Sequence, residues 1–183
     1  MRFVHQIPEV LSPDECSSLT NLASSAPLRE GGLVGGVSDE RIRRAGLVWV
    51  DDLADAGWVM DRMVGTVAKA NRETFGFDLT DFAESAQIAR YGSDRQGHFD
   101  WHSDIGAGEF AARRKLTVVV QLSSGGDYTG GDLELRPDSG IQSASREIGC
   151  ATLFPSFVLH RVTPVTAGVR WSLTLWAHGP AFR

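Results

Sequence analysis

Cysteine is scarce in this chain: Cys16 and Cys150 are the only two among 183 residues. They have no metal-like spacing and are expected to be free thiols in a reducing compartment. A basic excess is also lacking. With 18 Lys and Arg against 23 Asp and Glu the formal net charge is -5, which argues against nucleic acid as a partner, since phosphate-binding surfaces carry clustered positive charge. The one dense basic run, Arg41-Ile42-Arg43-Arg44, reads as a solvated edge. No apolar run approaches the length that crosses a bilayer, so no membrane partner is expected. The opening MRFVHQIPEV lacks the apolar centre of a signal peptide, so a cytoplasmic location is expected. Internal repeats and low-complexity tracts are missing as well. What remains is a chain with 42% hydrophobic and 22% charged residues, long enough for one domain with a core that needs no disulfides.

Ser12-Pro13-Asp14-Glu15 carries the marks of a helix start: Ser12 as N-cap, Pro13 at the first helical position and Glu15 closing a capping box. That helix is predicted to reach about Ser25. A second is predicted from about Asp55 to Phe75, where Val59, Met63, Val67 and Ala70 recur at helical spacing before Gly76. The remainder alternates as strands do, with candidates at Ala45 to Val50, Ser85 to Tyr91, Lys115 to Ser123, Asp132 to Arg136, Ala151 to Pro155 and Val169 to Trp176. Two helices followed by many short strands predict a mainly β fold, a sandwich or barrel with helices on one side. The glycine-rich stretch from Pro27 to Arg41 is long for a connection and reads either as a solvated loop or as a lid.

The stretch GHFDWHSDIG contains His-x-Asp twice, as His98-Phe99-Asp100 and as His102-Ser103-Asp104. Residues two apart on an extended chain point to one side, which lets a strand present both to one metal ion. A lone His-x-Asp is weak, but His160 closes an otherwise apolar run farther on. Ten residues later Arg170, Ser172 and Thr174 share one face of a strand, and Trp171, Leu173 and Leu175 share the other. An inward arginine is costly unless it meets an anion. A structural ion pair would serve, yet the adjacent Ser172 hydroxyl favours a bound carboxylate, whose two oxygens a guanidinium and a hydroxyl together satisfy. Two histidines and one carboxylate form the facial triad of non-haem iron(II) oxygenases.

With RYG at 90 to 92, WHSDIG at 101 to 106, RKLTVVVQLS at 114 to 123, DYTGGDLEL at 127 to 135 and FPSFVLHRVTPVTAGVRWSLTLW at 154 to 176, the chain resembles the 2-oxoglutarate and iron(II)-dependent dioxygenases, in their prolyl-4-hydroxylase-like, PKHD-type branch. The resemblance implies a double-stranded β-helix, or jelly roll, over residues 85 to 178, with residues 1 to 80 as helical support and lid of the same single domain. It also settles which pair is meant: the family interval from the preceding tyrosine, Tyr91, fits His102 better than His98. The implied metal ligands are His102, Asp104 and His160. His98 and Asp100, facing the same side of a regular strand, lie too far along it to share their sphere. Arg170 occupies the place that pairs with the 5-carboxylate of 2-oxoglutarate, Ser172 supplies the neighbouring hydroxyl, and Tyr91 and Gln121 fall where relatives often contact the cosubstrate. Gln121 and Phe99 both stand where tyrosine is frequent. The implied cofactors are Fe(II), 2-oxoglutarate and O2, with ascorbate as an optional reductant. The implied reaction is oxidative decarboxylation to succinate coupled to oxidation of a substrate carbon. Because related halogenases vacate the carboxylate position, Asp104 favours hydroxylation, here of an amino-acid, peptidyl or related small substrate. A non-catalytic sensor and a cupin-like metalloenzyme without cosubstrate are the alternatives, and Arg170 with Ser172 speaks against the latter. Lid functions fall to Pro27 to Arg44 and to the turn Ser124 to Thr129. The sequence leaves the oligomeric state open.

Overall fold

The computed structural model describes residues 3–32 and 39–182. Its elements in chain order are β1 (His5–Ile7), α1 (Pro13–Ser25), β2 (Arg29–Glu30), β3 (Arg43–Arg44), β4 (Gly46–Trp49), α2 (Trp58–Ala70), β5 (Gln87–Gly92), β6 (His98–His102), β7 (Arg114–Gln121), β8 (Tyr128–Gly130), β9 (Leu133–Arg136), β10 (Gln142–Ser143), β11 (Ala151–Pro155), β12 (Leu159–Val162) and β13 (Val165–His178). The strands form two antiparallel sheets. The major sheet runs β1-β11-β7-β13-β5-β4-β2, with β8 paired to the first part of β13, and the minor sheet runs β10-β9-β12-β6-β3. This is the expected jelly roll.

α1 begins at the predicted cap: the Glu15 backbone N–H donates to the Ser12 hydroxyl at 3.2 Å while the Ser12 N–H donates to the Glu15 carboxylate at 2.8 Å. α2 is shorter than its apolar spacing implied. It ends at Ala70, passes through one π-helical turn over Asn71–Phe75, and stops at Gly76, whose φ of 67° is left-handed. Val59, Met63, Val67 and Ala70 are all buried, each large one contributing roughly 1.5–3 kcal/mol relative to exposure. They pack with Leu19 and Cys16 of α1 against Leu116, Val118, Val120, Leu173 and Leu175, the outer face of the major sheet. A second apolar cluster lies between the two sheets and includes Tyr91, Val119, Leu133, Phe154 and Val162. The strand RKLTVVVQ is buried along its whole length because it separates these two cores, with Leu116, Val118 and Val120 in one and Val119 in the other.

Two features depart from the expected pattern. β12, which carries His160, is a separate strand between β9 and β6. β6 is not regular: His102 opposes His160 and Phe99 opposes Val162, so three residues of β6 span two of β12. This β-bulge at Asp100 and Trp101 absorbs one extra residue and shifts the alternation.

Candidate active site

The bulge decides which side chains of GHFDWHSDIG face inward. Phe99 and His102 both line the cavity between the sheets, their rings stacked with centroids 3.4 Å apart. Asp100 is exposed and accepts from the backbone N–H of its own neighbour Trp101, and His98 lies between the carbonyls of Gln96 and Arg41. The first His-x-Asp is therefore outside the cavity, for a reason the alternation of a regular strand does not supply.

His102 ends β6, Asp104 follows in the turn, and His160 is carried by the adjacent β12. Their ligand-type atoms lie within 4.8 Å of one another. The Nδ1 of His102 is 2.7 Å from the Asp100 carbonyl and that of His160 is 3.0 Å from the Val158 carbonyl. A carbonyl oxygen only accepts, so each Nδ1 carries the proton and each Nε2 presents a lone pair. Those Nε2 atoms face the Asp104 carboxylate at 3.7 and 3.6 Å, too far for hydrogen bonds. Burial and the nearby His160 imidazole push His102 down to about 3, which keeps it neutral. Burial opposes the ionisation of Asp104, but positive charge beside it in the gap at His160 and His102, together with the Thr117 hydroxyl, outweighs it and holds the carboxyl below its usual range. Two lone pairs and a carboxylate facing one gap without a proton between them repel unless a cation lies there. The donor set thus fits a divalent metal ion, and two nitrogens with one oxygen suit iron(II).

Side chains that the sequence did not single out hold these groups. Thr117 Oγ1 donates to Asp104 Oδ2 at 2.7 Å and is itself 3.0 Å from Ser156 Oγ. The Asp104 N–H donates to the Ser156 carbonyl, and Arg114 donates to the Asp104 carbonyl at 3.1 Å while gripping Glu84. The signal for Thr117 was present: it is a hydroxyl inside the apolar run of β7.

Arg170 is 2% exposed, and among the described residues no carboxylate lies within 4.0 Å of it. Its Nε donates to Gln121 Oε1 at 3.2 Å, Nη1 donates to Ser172 Oγ at 3.4 Å, and the guanidinium lies 5.5 Å from the Tyr91 ring centre. Gly131, with φ 63°, leaves room for it: a Cβ there would meet Arg170 Cδ at 3.2 Å and Val165 at 2.8 Å. Arg170, Ser172 and Tyr91 line the same cavity, of about 140 Å³, as His102, Asp104 and His160. Gln121 does not. It lies behind Arg170 in a smaller void and also donates to Tyr128, so it orients the guanidinium rather than facing the cavity. Thr174 and Trp176 continue the inward face of β13 into the cavity. The Trp176 indole N–H is buried and meets no acceptor among the described residues.

Of the expected lid, Leu33 to Ser38 lie outside the described residues. In the remainder, Arg43 reaches the cavity, while Arg41 points outward to Asp39. The turn Ser124 to Thr129 is tied down by Arg146, which donates to the carbonyls of Gly125 and Tyr128.

The family model of the 2OG-Fe(II) oxygenase superfamily matches residues 86–178. A PKHD-type hydroxylase of Polaromonas sp. is 28% identical over 180 residues, covering 93% of this chain and 76% of that protein. Another, from Delftia acidovorans, is 26% identical over 94% of this chain and 77% of that protein. Among solved structures, a prolyl-4-hydroxylase of Pseudomonas putida superposes with a TM-score of 0.79 at 23% identity, covering 98% of this chain and 94% of that one. A prolyl hydroxylase of Trichoplax adhaerens, solved with a hypoxia inducible factor peptide fragment, gives 0.79 at 22% over 96% of this chain and 83% of that one. The chain belongs to the 2OG-Fe(II) oxygenase superfamily and resembles its PKHD-type hydroxylases. It is a 2-oxoglutarate-dependent Fe(II) dioxygenase of the hydroxylase kind, using Fe(II), 2-oxoglutarate and O2. Neither alternative, the sensor or the cosubstrate-free cupin, stands beside that membership. No helix among the described residues is long and apolar enough to cross a membrane.

Proposed function

We propose that the chain hydroxylates an aliphatic carbon of an amino-acid or peptidyl substrate, with His102, Asp104 and His160 holding the iron and Arg170 holding the distal carboxylate of 2-oxoglutarate. The observation that carries this is the buried Arg170 guanidinium, without an acidic partner among the described residues, in the same cavity as a His, Asp and His set whose ligand atoms face one gap. An iron(II) ion held by these residues would activate O2 as the oxidant, with 2-oxoglutarate going to succinate and CO2, one oxygen atom entering succinate and the other the substrate carbon. The residues of this chain provide position. Gln121 and Ser172 fix the plane of the guanidinium from behind and beside it, Tyr91 lies against it, and Val119, Leu133 and Val162 exclude bulk water. The Asp100 and Val158 carbonyls keep both imidazoles in the ligand tautomer before any ion arrives. A cavity of about 140 Å³ suits a small dicarboxylate and an ion, so the substrate meets the site from the mouth. A peptidyl substrate is supported by the Trichoplax structure, which holds a peptide.

The test is iron content, succinate formation and mass spectrometry for a gain of one oxygen. Asp104→Ala and His160→Ala should lose iron and bring succinate to background, whereas His98→Ala and Asp100→Ala should retain most turnover. Arg170→Met should still take up metal but bind 2-oxoglutarate at least about thirtyfold more weakly, the cost of losing a buried charged partner. Full succinate formation by Asp104→Ala would remove the triad from the reaction, and an unchanged 2-oxoglutarate affinity in Arg170→Met would make that arginine structural.

A further inference from the structure

Four arginines, Arg41, Arg43, Arg44 and Arg95, lie on or beside β3 and β6, and three have acids. Arg41 pairs with Asp39 at 2.9 Å, Arg44 Nε is 4.0 Å from Glu40, and Arg95 holds Glu30 and Glu40 at 2.6 and 2.7 Å. Arg43 has no carboxylate within 4.0 Å among the described residues, and residues 33 to 38, LVGGVS, contain no acidic side chain. One guanidinium nitrogen, Nη1, donates to the Gly32 carbonyl at 2.8 Å, while Nε is buried without an acceptor among the described residues. The Phe99 ring attracts the half-buried guanidinium but does not neutralise it, so the charge is held in place with donors left for an anion.

The sheet explains where this charge is aimed. Arg43 of β3 opposes Phe99 of β6, and Arg44 opposes His98. Residues directly opposite in an antiparallel pair point to the same face, so Arg43 and Phe99 face the cavity and Arg44 and His98 face away. The Arg43 guanidinium lies 4.4 Å from the Phe99 ring centre, and Phe99 stacks on His102. The side chains form a ladder from the mouth down to a metal-type ligand. Arg43 thus stands on the minor-sheet wall and Arg170 on the major-sheet wall, two guanidinium groups without acids lining one cavity.

The geometry points to Arg43 as the residue that takes a carboxylate of the primary substrate, so that the substrate is an acid with its anionic group near the carbon to be oxidised. This rests on Arg170 being the partner of 2-oxoglutarate, which leaves Arg43 for the second reactant. The carboxylate is either the α-carboxylate of an amino acid or peptide terminus, or an acidic side chain beside the target. Both give the paired, charge-assisted hydrogen bonds that a guanidinium is shaped to make.

The test uses the whole protein loaded with Mn(II), which does not turn over, and saturating 2-oxoglutarate. Calorimetry then follows the binding of the common amino acids and a panel of dipeptides and tripeptides, each as free acid and as carboxamide, with Glu-for-Gln and Asp-for-Asn pairs among the amidated peptides. At least one acid should bind about ten- to a hundredfold more tightly than its amide, and Arg43→Gln should bring that ratio close to one while Arg43→Lys keeps part of it. Preference lost on terminal amidation assigns the α-carboxylate; preference lost on the side-chain exchange assigns the side chain. The inference is overturned if no acid in the panel is preferred over its amide, if the preference survives Arg43→Gln, or if Arg43→Gln abolishes 2-oxoglutarate uptake. Failure of the unaltered protein to bind 2-oxoglutarate sinks the reading of Arg170 instead, a separate result from the same titration.

Discussion

On β7, Leu116, Val118 and Val120 point toward the helices while Thr117, Val119 and Gln121 point into the space between the sheets. β13 divides in the same way, with Leu173 and Leu175 on the helix side and Arg170, Ser172, Thr174 and Trp176 on the cavity side. The helix face consists of apolar side chains whose burial favours folding. The cavity face carries the buried Arg170 and turns it toward the aspartate and two imidazoles that β6, the turn after it and β12 bring from the minor sheet, groups whose desolvation disfavours folding unless something binds them. One sheet thus separates stability from function by the parity of its residues, and substitutions on the two faces should read out differently.

The largest effect belongs to the helix face. Leu173→Ala removes a fully buried side chain and should cost about 2–5 kcal/mol in chemical denaturation, with the 2-oxoglutarate affinity of the remaining folded protein unchanged. A parallel loss of affinity would show that the two faces are coupled. Gln121→Glu works from the opposite side of the sheet. It places a carboxylate on the Arg170 Nε, so the melting temperature of the ligand-free protein should rise while 2-oxoglutarate binding weakens by about 1.5–3 kcal/mol. Equal or better binding would place the distal carboxylate elsewhere. The third effect is graded. Burial alone would raise Glu84, but hydrogen bonds from Arg114 and His178 hold it down to about 2 from an ordinary 4.5. A carboxyl depressed on folding contributes stability above its unfolded pKa and loses it as the pH falls toward the folded one. Stability should therefore decline between about pH 4.5 and 2, and Glu84→Gln should flatten that part of a melting-temperature profile; an identical profile would assign the acid sensitivity to other groups.

The parity of β13 could be read from sequence because Arg170, Ser172 and Thr174 alternate with Trp171, Leu173 and Leu175, whereas that of β7 could not, because Val118, Val119 and Val120 run apolar through both faces. α1 was legible for a local reason: its capping box lies within four consecutive residues. The inward face of β6 was not, because HFDWH fits either phase of a strand and only the pairing of His102 with His160 and Phe99 with Val162 reveals the extra residue. β12 was hidden because His160 and Val162 are separated by a single residue in a stretch too short to show a period. Arg43 could not be told from Arg41 and Arg44 either. Charge in a sequence does not disclose its partner: Asp39 takes Arg41 within one turn, whereas Glu30 and Glu40 meet in space on Arg95, far along the chain.

Both imidazoles are held in place by backbone carbonyls, and the Asp104 carboxylate by Thr117. The bonds that orient the donor set come from the fold, and any divalent ion that enters the gap relieves the repulsion within it. Such a seat offers little discrimination among first-row divalent ions, and cobalt, nickel and copper bind nitrogen and oxygen donors more tightly than iron(II) does. On the proposed reading, the ion that occupies this enzyme is decided by the supply of metals around it and not by its own shape, so a cell poor in iron and rich in nickel or cobalt would accumulate a folded, occupied and idle protein.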